Sequence, residues 1–378
     1  LKILCLNTYA GSLLVGARAG GHEVVGSYED VGFGQHVARA NFPDVDHRPS
    51  LADWPDASLD GVTVIAHPPC SAFSTQNIVW HARGTGSGAF SCTHRVVDYA
   101  TKHRASAVAV ESVMGALRGA WDEHQFYADE RGYDLYRVLQ SGAAFGAQWR
   151  DRFWAIFIKR PARRDLLTLG LVPLWKRVRD VVRGEGPSFE DQDRMLEKLK
   201  KKLRDGVPGY DAELDAFLFL ENHPRGGMGN ELTRHHFPGR DRYEVLSRYV
   251  TTFSSGQMVY LDPMSYSPTL LGGSWWYMNG RNLSVADYQA IAGFPSDYAW
   301  PDKTVNQARM FMSKGVIPAV ATWVLDQVER HLSAEPIEVD PAGWGVAVRP
   351  NGIADLRIKR KDWNPDGPLP PTRQKEWE

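Results

Sequence analysis

Gly61-Val62-Thr63-Val64-Ile65-Ala66-His67-Pro68-Pro69-Cys70 is the stretch that decides the fold. Its apolar, β-branched run is too short for a helix and lacks polar alternation, so it predicts a strand buried on both faces. The two prolines stop the strand and fix the backbone as it leaves the sheet, presenting Cys70 at the strand's carboxyl end. Similar runs lie on either side. Lys2–Leu6, Glu23–Tyr28, Ala107–Val110 and Phe153–Ile158 read as strands, with helical patterns such as Arg95–His103 between them. Buried strands alternating with helices predict an α/β, Rossmann-like fold with a mostly parallel sheet, whose binding crevice lies at the carboxyl ends of the strands.

A chain of 378 residues suits one large domain and a smaller one. With 43% hydrophobic and 11% aromatic residues it has material for a core, which excludes a disordered chain. No run approaches the roughly 18 apolar residues of a membrane span. The start lacks a secretory pattern, and Cys5, Cys70 and Cys92 are too few for a disulfide framework, so a cytoplasmic protein is expected. A net charge of −1 means that nucleic-acid contact needs a local basic face. Lys159–Arg204 offers one, with 14 Lys or Arg against 7 Asp or Glu, although a solvated helix would look the same. Asn222–Ser274 reads as loop-rich. Ser284-Val285-Ala286-Asp287 is a capping box opening a helix that ends near Gly293, and Val316–Leu332 is a second helix. Beyond Ser333 a loosely packed tail is expected. His223, His235 and His236 lack a cysteine pair and read as surface or DNA-contacting residues rather than metal ligands.

Three segments carry chemistry. Cys70 is a nucleophile if its neighbours favour the thiolate, and otherwise a small residue after a turn. Glu111 in Ala109-Val110-Glu111-Ser112-Val113 ends an apolar strand, either as a helix-capping acid or as one whose pKa desolvation is expected to raise, letting it carry a proton at neutral pH. Gln148-Trp149-Arg150-Asp151-Arg152 puts two arginines on one face of a strand, as salt-bridge partners or ligand-binding cations.

Taken in order, these segments resemble motifs of the DNA cytosine-C5 methyltransferase family: Pro68-Pro69-Cys70 its nucleophile motif, Glu111-Ser112-Val113 its Glu-Asn-Val, and Gln148-x-Arg150-x-Arg152 its Gln-x-Arg-x-Arg. Ser267-Pro268-Thr269-Leu270, Arg281-Asn282-Leu283-Ser284 with Gly293-Phe294-Pro295, and Ser313-Lys314-Gly315-Val316-Ile317-Pro318 resemble its later motifs. The resemblance covers about residues 1–160 and 265–332. It implies a catalytic domain over 1–162 and 265–332, a smaller loop-rich target-recognition lobe over 163–264, and a tail over 333–378. It also implies that Cys70 attacks C6 of a flipped cytosine, Glu111 donates a proton to N3, Arg152 holds O2, and Arg150 braces the Cys70 loop or a phosphate. S-adenosylmethionine would lie against Tyr9, Ala10, Gly11, Ser12 and Pro68, with Glu29 on its ribose, Asp46 as a weaker adenine contact and Lys314 near its tail. Ser71, Gln148, Lys176, Arg177 and Arg179 would contact double-stranded DNA, with the protein acting as a monomer.

The first turn, Asn7-Thr8-Tyr9-Ala10-Gly11-Ser12, has fewer glycines than the family's Phe-x-Gly-x-Gly-Gly, Ser112 replaces an Asn, and Lys314 replaces another. These departures are either drift or an accommodation of a different one-carbon donor, methylenetetrahydrofolate or a carboxylated S-adenosylmethionine. A catalytically silent DNA-binding paralogue is a third reading, from a different functional class.

Overall fold

The computed structural model describes residues 1–49, 56–70, 73, 88–160, 166–171, 174, 176–182, 258–260, 267, 269–270, 275–278, 281–303, 305–333 and 344–357. Its centre is an eight-stranded sheet in the order β13-β6-β7-β5-β4-β1-β2-β3, formed by β1 (Lys2–Leu6), β2 (Glu23–Tyr28), β3 (His47–Arg48), β4 (Val62–Ala66), β5 (Ala107–Ser112), β6 (Tyr133–Ser141), β7 (Asp151–Lys159) and β13 (Ile353–Leu356). Only β7 runs against its neighbours β5 and β6; the other pairings are parallel. The expected α/β Rossmann-like architecture is what the chain adopts.

Alternate residues of each strand feed opposite faces, and helices cover both. On one face Ile3, Cys5, Ile65, Ala107, Ala109, Trp154 and Ile156 pack with α1 (Ser12–Ala19) and α9 (Pro318–Ser333). On the other, Leu4, Leu6, Val64, Val108, Val110, Phe153 and Phe157 pack with α3 (Gly88–Lys102) and α5 (Trp121–Arg131). Each fully buried Leu, Ile or Val contributes about 1.5–3 kcal/mol, which is why these strands read as near-continuous apolar runs. Helix α9 reaches α1 through Gly16, where an added Cβ would stand 2.6 Å from the Ala321 Cβ and 2.7 Å from the Pro318 carbonyl. The segment after residue 265 is therefore built into the first domain.

The chain leaves β1 toward β2 on one side and returns through β4 on the other. The β1/β4 boundary is thus the switch point where an open α/β sheet forms its crevice. The segments Asn7–Ser12 and His67–Cys70 emerge together at that point.

Two expectations are corrected. The tail is not loose over 344–356: β13 pairs with β6 at the sheet edge, and β12 (Trp344–Val348) pairs with β8 (Leu167–Leu171). Their apolar alternation buries Val346, Val348, Ala354 and Leu356, a signal hidden beneath the segment's Pro-rich, charged composition. For the same reason the start of the proposed recognition lobe belongs to the body. Leu167, Leu169 and Leu171 are buried, and the indole of Trp323 donates to the Gly170 carbonyl at 2.6 Å. Most of 163–264, including the basic residues 183–204 and His223, His235 and His236, lies outside the described residues.

Candidate active site

Strand register assembles the site. In the antiparallel β5–β7 pair Glu111 stands opposite Trp154, so Arg152 and Arg150, two and four residues before Trp154, fall on the face that Glu111 occupies. In the parallel β4–β5 pair Ala66 stands opposite Val110, which brings His67 level with Glu111. Glu111 is fully buried; its Oε1 meets Arg152 Nε at 2.8 Å and its Oε2 meets His67 Nδ1 at 2.5 Å. Arg152 retains partial exposure and donates through Nη1 to the Asp151 carbonyl at 2.7 Å.

Cys70 follows at half-burial, its carbonyl accepting from Phe73 N–H at 3.1 Å. The Phe73 carbonyl lies against Gly115, where a Cβ would come within 2.3 Å, so Phe73 packs onto the turn that follows Glu111. Burial raises the Cys70 pKa and the Glu111 charge raises it further, while Arg152 and Arg150 oppose them. Cys70 therefore rests as a thiol. Ser71 lies outside the described residues.

Glu111 overturns the expected sign of its shift. Burial does push its pKa up, but the combined pull of His67, Arg152 and Arg150 prevails and holds it down to about 2. Its resting form is the carboxylate.

Arg150 is also corrected. It is 3% exposed and donates to the carbonyls of Ser313 (2.7 Å) and Lys314 (3.4 Å), the last residues of α8 (Val305–Lys314). A guanidinium suits a helix carboxyl end, where carbonyls lack partners. Burial, then the like charge of Arg152, lowers its pKa to about 9. Gln148 is likewise buried, its amide donating to the Ile291 carbonyl at 3.4 Å. Trp149 N–H instead bonds the Ser267 carbonyl at 2.6 Å, joining the Gln-x-Arg-x-Arg and Ser-Pro-Thr segments.

On the cofactor side, Glu29 sits at the carboxyl end of β2 and accepts from the Tyr9 (2.7 Å) and Val31 (3.0 Å) amides. Burial raises its pKa to about 7 against the pull of those two donors. A fixed acid at this place fits a ribose diol. The turn itself is unusual: Asn7, Tyr9 and Ala10 all have φ between 43° and 56°, left-handed backbone that costs non-glycine residues about 1–2 kcal/mol each. The Tyr298 hydroxyl holds it by donating to the Ala10 carbonyl. The Tyr9 ring stands edge-on to His67 at 5.5 Å and lies 6.4 Å from Phe311.

Ser12, expected at the cofactor, is fully buried; its hydroxyl donates to the Thr8 carbonyl at 3.0 Å and accepts from Val316 N–H at 3.3 Å. Asp46 directly precedes β3, level with Gly26 near the carboxyl end of β2, and its carboxylate pairs with Arg48 at 2.9 Å. Pro68 is buried beside the site, and Lys314 is exposed at the end of α8, next to Gly315, which faces Ser12. Lys176 and Arg179 are exposed and Arg177 half-buried around α6 (Val178–Val181), which is anchored to the body by Val178 and Val182. Sequence reading missed His67, whose signal was a histidine at the end of a buried strand.

The sequence matches no family model and no curated protein. Its fold does match solved structures. A prophage-encoded E. coli protein named for DNA modification methyltransferase activity superposes with a TM-score of 0.55 at 15% identity, over 88% of this chain and 99% of that one. A Spodoptera frugiperda DNMT2 mutant gives 0.55 at 12% identity, over 87% and 99%. The Entamoeba histolytica methyltransferase EhMeth gives 0.56 at 10% identity, over 87% and 97%. The protein therefore has the Rossmann-like methyltransferase fold of these structures. At such identities the likeness extends to the fold alone.

Proposed function

We propose that the protein is a transferase that modifies C5 of cytosine in double-stranded DNA through a covalent bond from Cys70 to C6, S-adenosylmethionine being the methyl donor. The observation that carries this reading is the meeting of Cys70, Glu111 and Arg152 at one strand-end crevice, with Glu111 ion-paired to Arg152 at 2.8 Å. C5 becomes nucleophilic only when something adds across the C5–C6 double bond. Addition of sulfur at C6 sends electron density toward N3, where a proton from Glu111 completes the enamine. Arg152, the more exposed of the two arginines, is the hydrogen-bond donor for O2. These atoms are inaccessible in a stacked duplex, so the base must leave the helix. Glu29 and the Tyr9–Gly11 turn would hold the donor, which would supply an electrophilic methyl carbon. Residues 183–264 are the proposed recognition lobe, and the DNA would lie between it and the body, with Lys176 and Arg179 near phosphates.

An exposed Lys314 beside a glycine-poor turn favours a second reading, in which the donor is richer in carboxylate than S-adenosylmethionine: a carboxylated S-adenosylmethionine or methylenetetrahydrofolate. Both use the same three residues on cytosine.

The test is covalent trapping on 5-fluorocytosine DNA, from which no C5 proton can depart. The wild-type protein with S-adenosylmethionine should form a denaturation-resistant adduct, and Cys70→Ser none while still binding DNA. Absence of the adduct with every donor would leave the silent DNA-binding paralogue, and an adduct surviving in Cys70→Ser would refute the nucleophile.

A further inference from the structure

The proton assigned to Glu111 poses a difficulty, because Glu111 rests as a carboxylate. Its neighbour offers a source. His67 is 1% exposed and uses both ring nitrogens: Nε2 lies 2.7 Å from the Lys314 carbonyl and Nδ1 lies 2.5 Å from Glu111 Oε2. A carbonyl oxygen only accepts, so Nε2 must carry hydrogen. Between Nδ1 and a carboxylate oxygen a hydrogen bond likewise needs one proton, on either atom. The geometry therefore loads the pair with one transferable proton while pinning the other end of the ring.

We propose that His67 is a positioning residue that stores, on Nδ1, the proton that Glu111 passes to the flipped base. This rests on the reading of Cys70 and Glu111 given above. Cys70 first releases its thiol proton to solvent; as the thiolate bonds to C6, the C5–C6 π electrons shift into the ring, and the Nδ1 proton of His67 passes to the Glu111 carboxylate and from it to N3. The imidazole is left neutral, with Nε2–H still on Lys314. When C5 has received its substituent, loss of the C5 proton to solvent expels the thiolate and the N3 proton returns by the same path, so the pair ends as it began. The groups facing His67 fit this cycle. Glu111 lies on β5, Arg150 and Arg152 on and before β7 balance the carboxylate, Cys70 follows on its own segment, the Tyr9 ring closes the remaining side, and Lys314 contributes its carbonyl from α8.

His67→Gln separates storage from mere support, because a glutamine amide can still donate to the Lys314 carbonyl but cannot hold a transferable proton. In single-turnover assays of the full-length protein, His67→Gln should be slower by about 100-fold near neutral pH. Its DNA and donor binding should stay within about threefold of wild type. In ¹⁵N-histidine NMR the His67 resonances, identified by their loss in His67→Gln, should show hydrogen on both ring nitrogens near neutral pH. An Nδ1 without hydrogen, or a His67→Gln rate within about threefold of wild type, would overturn the proposal. If the wild-type protein forms no Cys70 adduct at all, the catalytic reading fails and the use of the proton with it, while the NMR result still decides whether the pair holds one.

Discussion

His124 is fully buried between Phe153 and Phe157, with burial and then the Arg137 charge lowering its pKa to about 3. A neutral imidazole fits that apolar slot and an imidazolium does not. Because the folded-state pKa lies below the unfolded value of 6.5, its contribution is complete above pH 6.5 and is lost as pH falls from there toward 3. At 1.36 kcal/mol per unit, acidification from pH 6.5 to 5 should cost about 2 kcal/mol. His124→Phe should flatten that part of the stability curve in urea denaturation across the pH range, and an unchanged slope would refute the assignment. Glu111 acts lower down: with its folded pKa near 2 against 4.5, its contribution is present above 4.5 and lost as pH falls through 2. Glu111→Gln leaves Arg152 without its buried partner, which should cost about 3–5 kcal/mol in stability as well as most of the activity. Glu111 shows what residue type and strand position alone could convey. They were enough to mark a desolvated acid, but the sign of its shift depends on His67 and Arg152, which come from other strands and meet it only through register.

The elements tie the two halves of the sequence together at a few close approaches. Gly16→Val would press side-chain carbon onto Ala321 and the Pro318 carbonyl, forcing α1 and α9 apart. Such overpacking should cost about 1–3 kcal/mol, measurable as a lower midpoint of thermal unfolding. The strands β1, β4, β5 and β7 were legible because burial on both faces leaves an uninterrupted apolar run. The helix opening at Ser284 was legible because its capping box is a local device, and both of its hydrogen bonds form. Strand β6 was not, because Asp134, Arg137 and Gln140 interrupt its pattern; Arg137 is buried with its guanidinium 3.4 Å over the Trp121 ring, a partner that sequence spacing does not reveal. The strands β12 and β13 escaped for a related reason: each is stabilised by pairing with a segment about two hundred residues away. Removing residues 344–378 should therefore expose the β6 edge and the leucines of β8, and give a protein that aggregates at concentrations where the full chain remains monodisperse by light scattering. A soluble, fully folded truncation would show these strands to be dispensable.

At the scale of the whole molecule the proposed reading constrains the modified atom more tightly than the group placed on it. Cys70, Glu111 and Arg152 converge through strand register, so their arrangement follows from the sheet. The donor side depends instead on one turn with three non-glycine residues in left-handed backbone and on the exposed end of α8. Motif spacing pointed to Glu29, Lys314, Ser12 and Asp46, but it could not tell that the Ser12 hydroxyl turns into the core or that the Asp46 carboxylate pairs with Arg48. Charge is what separates the candidate donors. An ammonium at Lys314 would attract the amino-acid carboxylate of either sulfonium donor, and a second carboxylate on the transferred group would add to that attraction. Incubating cytosine-containing DNA with the protein and each donor in turn, then weighing the released nucleosides, should yield a product heavier than deoxycytidine by one methylene with S-adenosylmethionine. A heavier product, or one formed only with methylenetetrahydrofolate or a carboxylated donor, would replace methyl transfer by the second reading. In that event Lys314→Asn should lower use of the carboxylate-bearing donor by about tenfold, the equivalent of one charge-assisted contact of roughly 1.4 kcal/mol, and leave DNA affinity unchanged. A Lys314→Asn protein with wild-type donor preference and rate would show that the lysine takes no part in choosing the donor.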